Sequence, residues 1–257
     1  VAAAVRADGH TNRWWLDPIF GRGYPQDMID VYGVEPPVQG DDLTTIAPEL
    51  DWLGVNYYFR EVVTADPGGV GAQVKAVRVP GAVETAMPWE VYPQGLEDIL
   101  VRVARDYGPR QIHVTENGSA WDDEIGPDGT VNDVERADYL RTHLEACAGA
   151  IGRGAPVAGY FAWSLLDNLE WAYGYEKRFG LIRVDYDTQA RTIKTSGRFY
   201  ADAIAEHRAA ADSADADASA VGGSRVCRVH PRGSTVWRVS CTWRTPTSPR
   251  AMRSPPA

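Results

Sequence analysis

The chain has 257 residues, of which 44% are hydrophobic and 10% aromatic, so it has enough apolar material for a sizeable core in one or two domains. Its net charge of −9 argues against nucleic acid and against an anionic membrane surface as partners. The sequence contains no apolar run of about 18 residues, the length that a membrane-spanning helix needs. The start of the chain lacks the basic and then apolar layout of a signal peptide.

The cysteines indicate neither a disulfide framework nor a metal site. Cys147, Cys227 and Cys241 are too few for the former, and their spacing is unlike that of metal ligands. We therefore expect reduced thiols and no metal, and we expect no cofactor. The sequence leaves the compartment open, with a cytoplasmic protein favoured over a secreted one. The sequence leaves the oligomeric state open.

Three short segments are apolar or aromatic over the length of a strand. They are DWLGVNYYF (51–59), QIHVTE (111–116) and PVAGYFAWSLL (156–166). Such continuous apolar character is typical of parallel strands that are buried on both faces. We therefore predict three buried strands.

Each predicted strand is followed by a helical pattern. After the first strand, apolar residues recur at i, i+3, i+4 spacing over 96–107. After the second, a similar stripe over 140–151 follows a capping box predicted for Asn132 and Glu135. A last helix is predicted around 199–204. The order β, α, β, α, β, α predicts a parallel sheet whose functional residues lie beyond the carboxyl ends of the strands.

Polar and aromatic side chains gather at the predicted strand ends. Glu116 ends the second strand, Asn56, Tyr57 and Tyr58 end the first, and Trp163 lies along the third. A sugar site needs this mixture, because aromatic faces contact a pyranose ring, polar groups bind its hydroxyls and carboxylates perform acetal chemistry. The spacing alone also allows Glu116 to be a helix N-cap or an ion-pair partner.

The composition changes near the C-terminus. Residues 209–220 (AAADSADADASA) have the small, polar composition of a flexible linker. Residues 221–257 contain seven Arg but no Lys, Asp or Glu. We predict a disordered or non-native, irregular basic tail there; the alternative is a basic, Trp-bearing binding arm.

Four separated motifs lie within residues 8–208: NRWWLDPIFGRGYP, DWLGVNYY, VTENGSAWDD and GYFAWSLLDNLEWAYGYEKRFGLIRVDY. In their order and rough spacing they resemble glycoside hydrolase family 1, the retaining β-glucosidases and their relatives. The resemblance implies an α/β fold, an incomplete (β/α)₈ TIM barrel of which residues 1–208 hold the last three βα units. It also implies that Glu116, in Thr-Glu-Asn-Gly, is the catalytic nucleophile.

The resemblance assigns roles to further residues. Tyr58 matches the tyrosine that hydrogen-bonds the nucleophile, and Asn56 belongs to the same inner cluster. Trp89 corresponds to an aglycone-side tryptophan, although Pro88 stands where the family is expected to have glycine. The remaining residues implied to bind the sugar are Trp163 as its platform, Glu170 and Trp171 at its distal hydroxyls, and Phe179 closing the pocket.

The expected substrate is a small oligosaccharide or an aryl or alkyl β-glycoside. Members that act on 6-phosphorylated sugars resemble one another in having Ser where this chain has Glu170 and Tyr where it has Phe179. A carboxylate would repel a sugar phosphate, so we predict an unphosphorylated glycone. Glucose, galactose and fucose are not separated by these residues.

The sequence lacks one expected motif. A retaining glycosidase needs a second carboxyl group about 5 to 5.5 Å from the nucleophile, which the family carries in Asn-Glu-Pro, and this chain has no Asn-Glu-Pro. Glu35-Pro36 follows Val34 in a Pro-rich loop and is rejected as the acid. We therefore predict that the chain alone is inactive. Two hypotheses remain: the C-terminal part of a β-glycosidase, or a non-catalytic carbohydrate-binding relative.

Overall fold

The computed structural model describes residues 1–221, 224–232 and 236–244. Helical segments come first and are followed by alternating strands and helices. The N-terminal segments are α1 (Ala2–Asp8), a π-helical turn (Gly9–Arg13), α2 (Trp14–Ile19), α3 (Gln26–Tyr32) and α4 (Asp42–Ile46). The later elements are β1 (Leu53–Asn56), β2 (Val63–Ala65), β3 (Val74–Ala76), α5 (Pro93–Tyr107), β4 (Ile112–Asn117), α6 (Val134–Gly152), β5 (Val157–Ala162), a 3₁₀ turn (Trp171–Tyr173), β6 (Ile182–Val184), β7 (Arg191–Ile193), α7 (Thr195–Val221), β8 (Ser224–Arg232) and β9 (Val236–Arg244).

The central sheet has three parallel strands in the order β1-β4-β5, with α5 and α6 as the connections between them. This agrees with the predicted β, α, β, α, β, α order. The strands β1 and β5 are shorter than the apolar segments that predicted them, because the aromatic residues beyond them leave the sheet to form the loops at its carboxyl edge, whereas β4 has the predicted six residues shifted by one position. Two small antiparallel hairpins, β2-β3 and β6-β7, were not predicted.

The two helices cover one face of this sheet. Leu96 and Leu100 of α5 are fully buried and pack with Ile112 and Val114 of β4. Burying a side chain of this size contributes about 1.5–3 kcal/mol, so this layer stabilises the sheet and thereby positions the strand ends. Other buried members of the cluster are Val103, Ala146, Cys147, Ala150 and Ala155.

The opposite face of the sheet is open in the part of the chain that the structure describes. Trp52 is 51% exposed and Phe161 57% exposed, and both rings approach His113 in the middle strand. Gly54 and Gly159 lie between these side chains, and a Cβ on Gly159 would come within 2.6 Å of the His113 ring. None of the helices among the described residues is long and apolar enough to span a membrane.

The start of α6 differs from the prediction. The helix begins at Val134 with Asp133 in the capping position, and no side chain caps it. The predicted capping box of Asn132 and Glu135 is therefore wrong. The physical reason is that the buried Asp133 carboxylate instead pairs with Arg136 and accepts hydrogen bonds from the backbone N–H and hydroxyl of Ser196.

The C-terminal region also differs from the expectation. Helix α7 runs to Val221, so residues 209–220 are helical and are not a flexible linker. Seven of these twelve residues are alanine, the strongest helix former, which outweighs their polar composition. In the tail, predicted to be disordered, β8 and β9 pair antiparallel. Their Val, Thr and Trp residues favour strands. The rest of the tail, including 245–257, lies outside the described residues.

Candidate active site

A bulge in the middle strand sets the direction of Glu116. The helix-facing residues of β4 are Ile112, Val114 and Asn117, so the regular alternation breaks once, between Val114 and Asn117. The strand holds one more residue there than either neighbour, as a β-bulge does. The pairs that show this are Val55 with Val114, Asn56 with Glu116, Val114 with Tyr160, and Asn117 with Ala162. Glu116 is thereby turned away from the helices, towards the open face and its carboxyl edge.

Glu116 is held by a tyrosine from the neighbouring strand end. The Tyr58 hydroxyl donates a hydrogen bond to Oε2 of Glu116 over 2.7 Å. Burial raises the pKa of the Tyr58 phenol well above its usual range, and the hydrogen bond to Glu116 and the Glu116 charge raise it further. Tyr58 is therefore a neutral donor at any physiological pH, and a donor at this place favours the ionised carboxylate.

A second carboxylate and an indole lie near this pair. Burial raises the pKa of the Glu170 carboxyl group, hydrogen bonding with Trp163 opposes the rise, and the charge of Glu116 adds to it. Glu170 stands at the start of the 3₁₀ turn, where its backbone N–H bonds the Gly174 carbonyl over 2.6 Å. The structure thus brings Glu116, Glu170 and Trp163 into one electrostatic environment.

Aromatic rings form one wall of the site. The Tyr58 ring lies 5.4 Å from Trp89 and 6.2 Å from Phe179, measured between ring centroids. Phe179 is only 2% exposed, so it supports the wall from behind, whereas Trp89 is half-buried. Nζ of Lys177 donates to the Ala86 carbonyl over 2.8 Å and ties the segment of Trp89 to that of Phe179.

Two predicted residues stand at the margin of this cluster. Oδ1 of Asn56 accepts a hydrogen bond from Thr115 over 2.6 Å, and no hydrogen bond joins it to Glu116 in the described structure. Trp171 is 89% exposed and adopts a positive φ of 41° in the 3₁₀ turn beside Glu170. The structure therefore groups six of the eight predicted residues and leaves Asn56 and Trp171 at the edge.

Sequence reasoning missed a buried ionic network beneath the site. Lys194, which is fully buried, donates to Asp123 over 2.5 Å and to Asp167 over 2.8 Å. Arg178 pairs with Asp167 over 2.6 Å. The Asp167 carboxylate also accepts the backbone N–H of Gly180, the neighbour of Phe179, over 3.0 Å. The network thus anchors the segment that carries Glu170 and Phe179. Arg136 completes it by pairing with Asp123 and Asp133.

A metal site does not form part of the described cluster: among the described residues, no group of three His, Cys, Asp or Glu side chains is arranged to hold an ion. A carboxylate stands at the carboxyl edge of the parallel sheet, held by a phenol and flanked by indoles and a second carboxylate, and these residue types suit carbohydrate chemistry. Fold and site together define the class as an α/β protein with a parallel βα sheet and a carboxylate site at the carboxyl ends of its strands.

Comparison with known proteins gives the family. The profile of glycosyl hydrolase family 1 matches residues 1–209. Beta-glucosidase A of Thermotoga maritima is 42% identical over 192 residues, which are 74% of this chain and 42% of that protein. A bifunctional beta-D-glucosidase/beta-D-fucosidase of Bifidobacterium breve is 41% identical over 228 residues, covering 80% of this chain and 49% of that protein.

A solved structure gives the same result. The Thermotoga maritima beta-glucosidase in complex with azafagomine superimposes with a TM-score of 0.73 at 41% identity, over 78% of this chain and 46% of that one. The chain belongs to glycosyl hydrolase family 1. It spans less than half the length of these relatives.

Proposed function

We propose that this chain is the C-terminal part of a retaining β-glycosidase in which Glu116 is the nucleophile. The observation that carries the proposal is the 2.7 Å hydrogen bond from Tyr58 to Glu116 at the carboxyl edge of the parallel sheet. A carboxylate oxygen attacks the anomeric carbon, and the bond from that carbon to the leaving oxygen breaks. Water then hydrolyses the glycosyl-enzyme and restores the carboxylate, with net retention of the β configuration.

Other residues of the cluster are assigned to sugar binding. Trp163 provides the platform under the glycone, and Glu170 and Trp171 bind its distal hydroxyls. Phe179 closes the far side of the pocket, and Trp89 lies on the aglycone side. The exposure of Trp171 supports a contact with ligand, since a large indole that is 89% exposed has no packing role among the described residues. Asn56, at the margin of the described cluster, is assigned to the inner cluster of the completed site by the family resemblance, and its Oδ1 accepts a hydrogen bond from Thr115.

The three βα units are proposed to be the last three of an eight-unit barrel. Two facts support this: the sheet has an open face among the described residues, and the chain covers only 42–49% of the two curated relatives named above. Because the sequence has no Asn-Glu-Pro, the proton for the leaving oxygen comes from a carboxyl group in the rest of the barrel. The names of the relatives favour β-glucosides and β-fucosides as substrates, and a β-galactoside remains a candidate.

The test uses a completed enzyme, defined as residues 1–209 preceded by the portion of the Thermotoga maritima enzyme that this chain does not cover. We expect it to hydrolyse an aryl β-glucoside with retention, measured as the first anomer formed by ¹H NMR. Glu116→Gln should lower kcat by about 10³-fold or more, because an amide cannot attack the anomeric carbon. The matched control is Glu206→Gln on the exposed surface of α7 and should leave kcat unchanged.

The result that contradicts the proposal is equal turnover by the wild type and Glu116→Gln. Sugar binding without Glu116-dependent hydrolysis would favour a non-catalytic carbohydrate-binding protein. The 257-residue chain by itself is expected not to hydrolyse the same substrate, since loss of the general acid alone costs about 10² to 10⁴ in rate. Turnover by the chain alone that depends on Glu116 would show that a carboxyl group within it, or in a second copy, serves as the acid.

A further inference from the structure

The bulge in β4 requires side-chain hydrogen bonds that hold the strand in place. In an unbulged strand Glu116 would follow Ile112 and Val114 onto the helix-facing side, where a carboxylate would be buried among apolar side chains. The extra residue reverses this and brings Asn117 into the core instead, where it is 0% exposed. A bulge leaves some hydrogen bonds between the strands unmade, so other groups must hold β4 with Glu116 on the open face and Asn117 in the core.

Asn117 supplies those hydrogen bonds from its side chain. Its Nδ2 donates to the Tyr57 carbonyl over 2.6 Å and to the Tyr139 hydroxyl over 3.0 Å. Its Oδ1 accepts from the Tyr160 hydroxyl over 2.5 Å. Both amide protons and the carbonyl oxygen are therefore used, by β5, by α6 and by the residue that follows β1. A buried asparagine that is satisfied in this way is held in a single orientation.

The same residue is connected to both partners of the candidate catalytic pair. Tyr139 accepts from Asn117 and donates its own proton to the Tyr58 carbonyl over 3.0 Å. The backbone N–H of Tyr57 donates to the Glu116 carbonyl over 3.0 Å. The backbone carbonyl of Asn117 also accepts the Trp163 N–H over 2.9 Å. The backbones that carry the carboxylate, the phenol and the indole are thus joined through Asn117.

We propose that Asn117 is a positioning residue: its buried amide holds the bulge of β4, and with Tyr139 it fixes Glu116 opposite the Tyr58 hydroxyl. The proposal rests on the proposed role of Glu116 as nucleophile for its catalytic consequence, but not for its structural one. The position requires two N–H donors and one acceptor, which serine and aspartate do not provide. Asn117 acts through Glu116 and does not itself touch the sugar.

The first test uses the full 257-residue chain with ¹³C-labelled glutamate carboxyl groups. The Glu116 carboxyl resonance is the one that disappears in the Glu116→Gln variant. The Tyr58→Phe variant gives the chemical shift of this resonance when the hydrogen bond from the phenol is absent. We expect Asn117→Ala to move the resonance to the Tyr58→Phe position while the circular dichroism spectrum is unchanged. Tyr107→Phe is the matched control, because it removes a partly buried hydroxyl bond to Asp17 at the other end of α5 and should leave the resonance in place.

Tyr139→Phe keeps the ring and removes only its hydroxyl, so it decides the matter if Asn117→Ala fails to fold. It too should move the Glu116 resonance towards the Tyr58→Phe position. In the completed enzyme, either variant should lower kcat by about 10²-fold with KM changed less than about 3-fold, since a small displacement of a reacting group has effects of this size. A Glu116 resonance that stays in place in a folded Tyr139→Phe chain would overturn the proposal. Because this readout needs no turnover, an inactive completed enzyme would reject the catalytic role alone.

Discussion

Replacing Lys194 by methionine should destabilise the chain strongly. Lys194 is fully buried and contacts the carboxylates of Asp123 and Asp167. Burial lowers the pKa of Lys194 and Arg136 lowers it further, while the two carboxylates raise it. The lysine is thus costly to bury, and the structure retains it because the two carboxylates need a cation. Methionine has a similar length and fills the same space without a charge.

The magnitude follows from the charge balance of the network. Three cations face three carboxylates, so removal of one cation leaves one buried negative charge without a partner. The network consists of Lys194, Arg136, Arg178, Asp123, Asp133 and Asp167. Breaking a buried ion pair by removing one partner costs about 3–5 kcal/mol. The expected loss of unfolding free energy is therefore about 3–5 kcal/mol, or a decrease in Tm of about 6–20 °C.

The assay is urea unfolding of the full chain, followed by tryptophan fluorescence and circular dichroism, with the slope of free energy against urea compared between variants. Arg141→Met is the control, because Arg141 pairs with Asp138 and Glu145 at the surface of α6, where such pairs contribute about 0–1 kcal/mol. If Lys194→Met lowers the free energy of unfolding no more than the control does, the reasoning is refuted. That result would mean that the carboxylates are stabilised by solvent or by another cation.

Two further predictions concern pH and specificity. His143 is buried, its Nδ1 donates to the Tyr139 carbonyl, its Nε2 has no hydrogen-bond partner among the described residues, and burial lowers its pKa to about 4. The unfolded chain therefore binds the proton first, so about 3 kcal/mol of stability present above pH 6.5 should be lost as the pH falls to about 4. His143→Gln should flatten this dependence in urea unfolding at several pH values; an unchanged slope would contradict it. In the completed enzyme, Glu170→Ser should lower kcat/KM on β-glucosides by about 10- to 150-fold, because each hydrogen bond to a charged group contributes about 1.5–3 kcal/mol. Unchanged kcat/KM, or better turnover of 6-phosphoglucosides by the unsubstituted enzyme, would count against the assigned role.

The site was predictable from the sequence where its residues lie at strand ends. Glu116 and Tyr58 each stand at the carboxyl end of an apolar strand-length segment, and the carboxyl ends of parallel strands share one edge, so their proximity could be expected. Asn117 was missed because Asn before Gly is typical of a turn, and nothing local shows that its side chain is buried. Lys194 was missed because an isolated lysine is normally exposed.

The sequence by itself determined the order of three strands and three helices, the residue types at the carboxyl edge and the family resemblance. These follow from periodicities and motifs that extend over a few residues. The tertiary structure decided the bulge that turns Glu116, the burial of Asn117 and the pairing of charges around Lys194. Each depends on contacts between distant segments: Tyr58 and Glu116 are 58 residues apart, and Asp123 and Lys194 are 71 apart. Which face of the sheet a strand residue points to, and which partner a buried charge finds, depend on the packing of the whole core. No short segment of the sequence determines that packing.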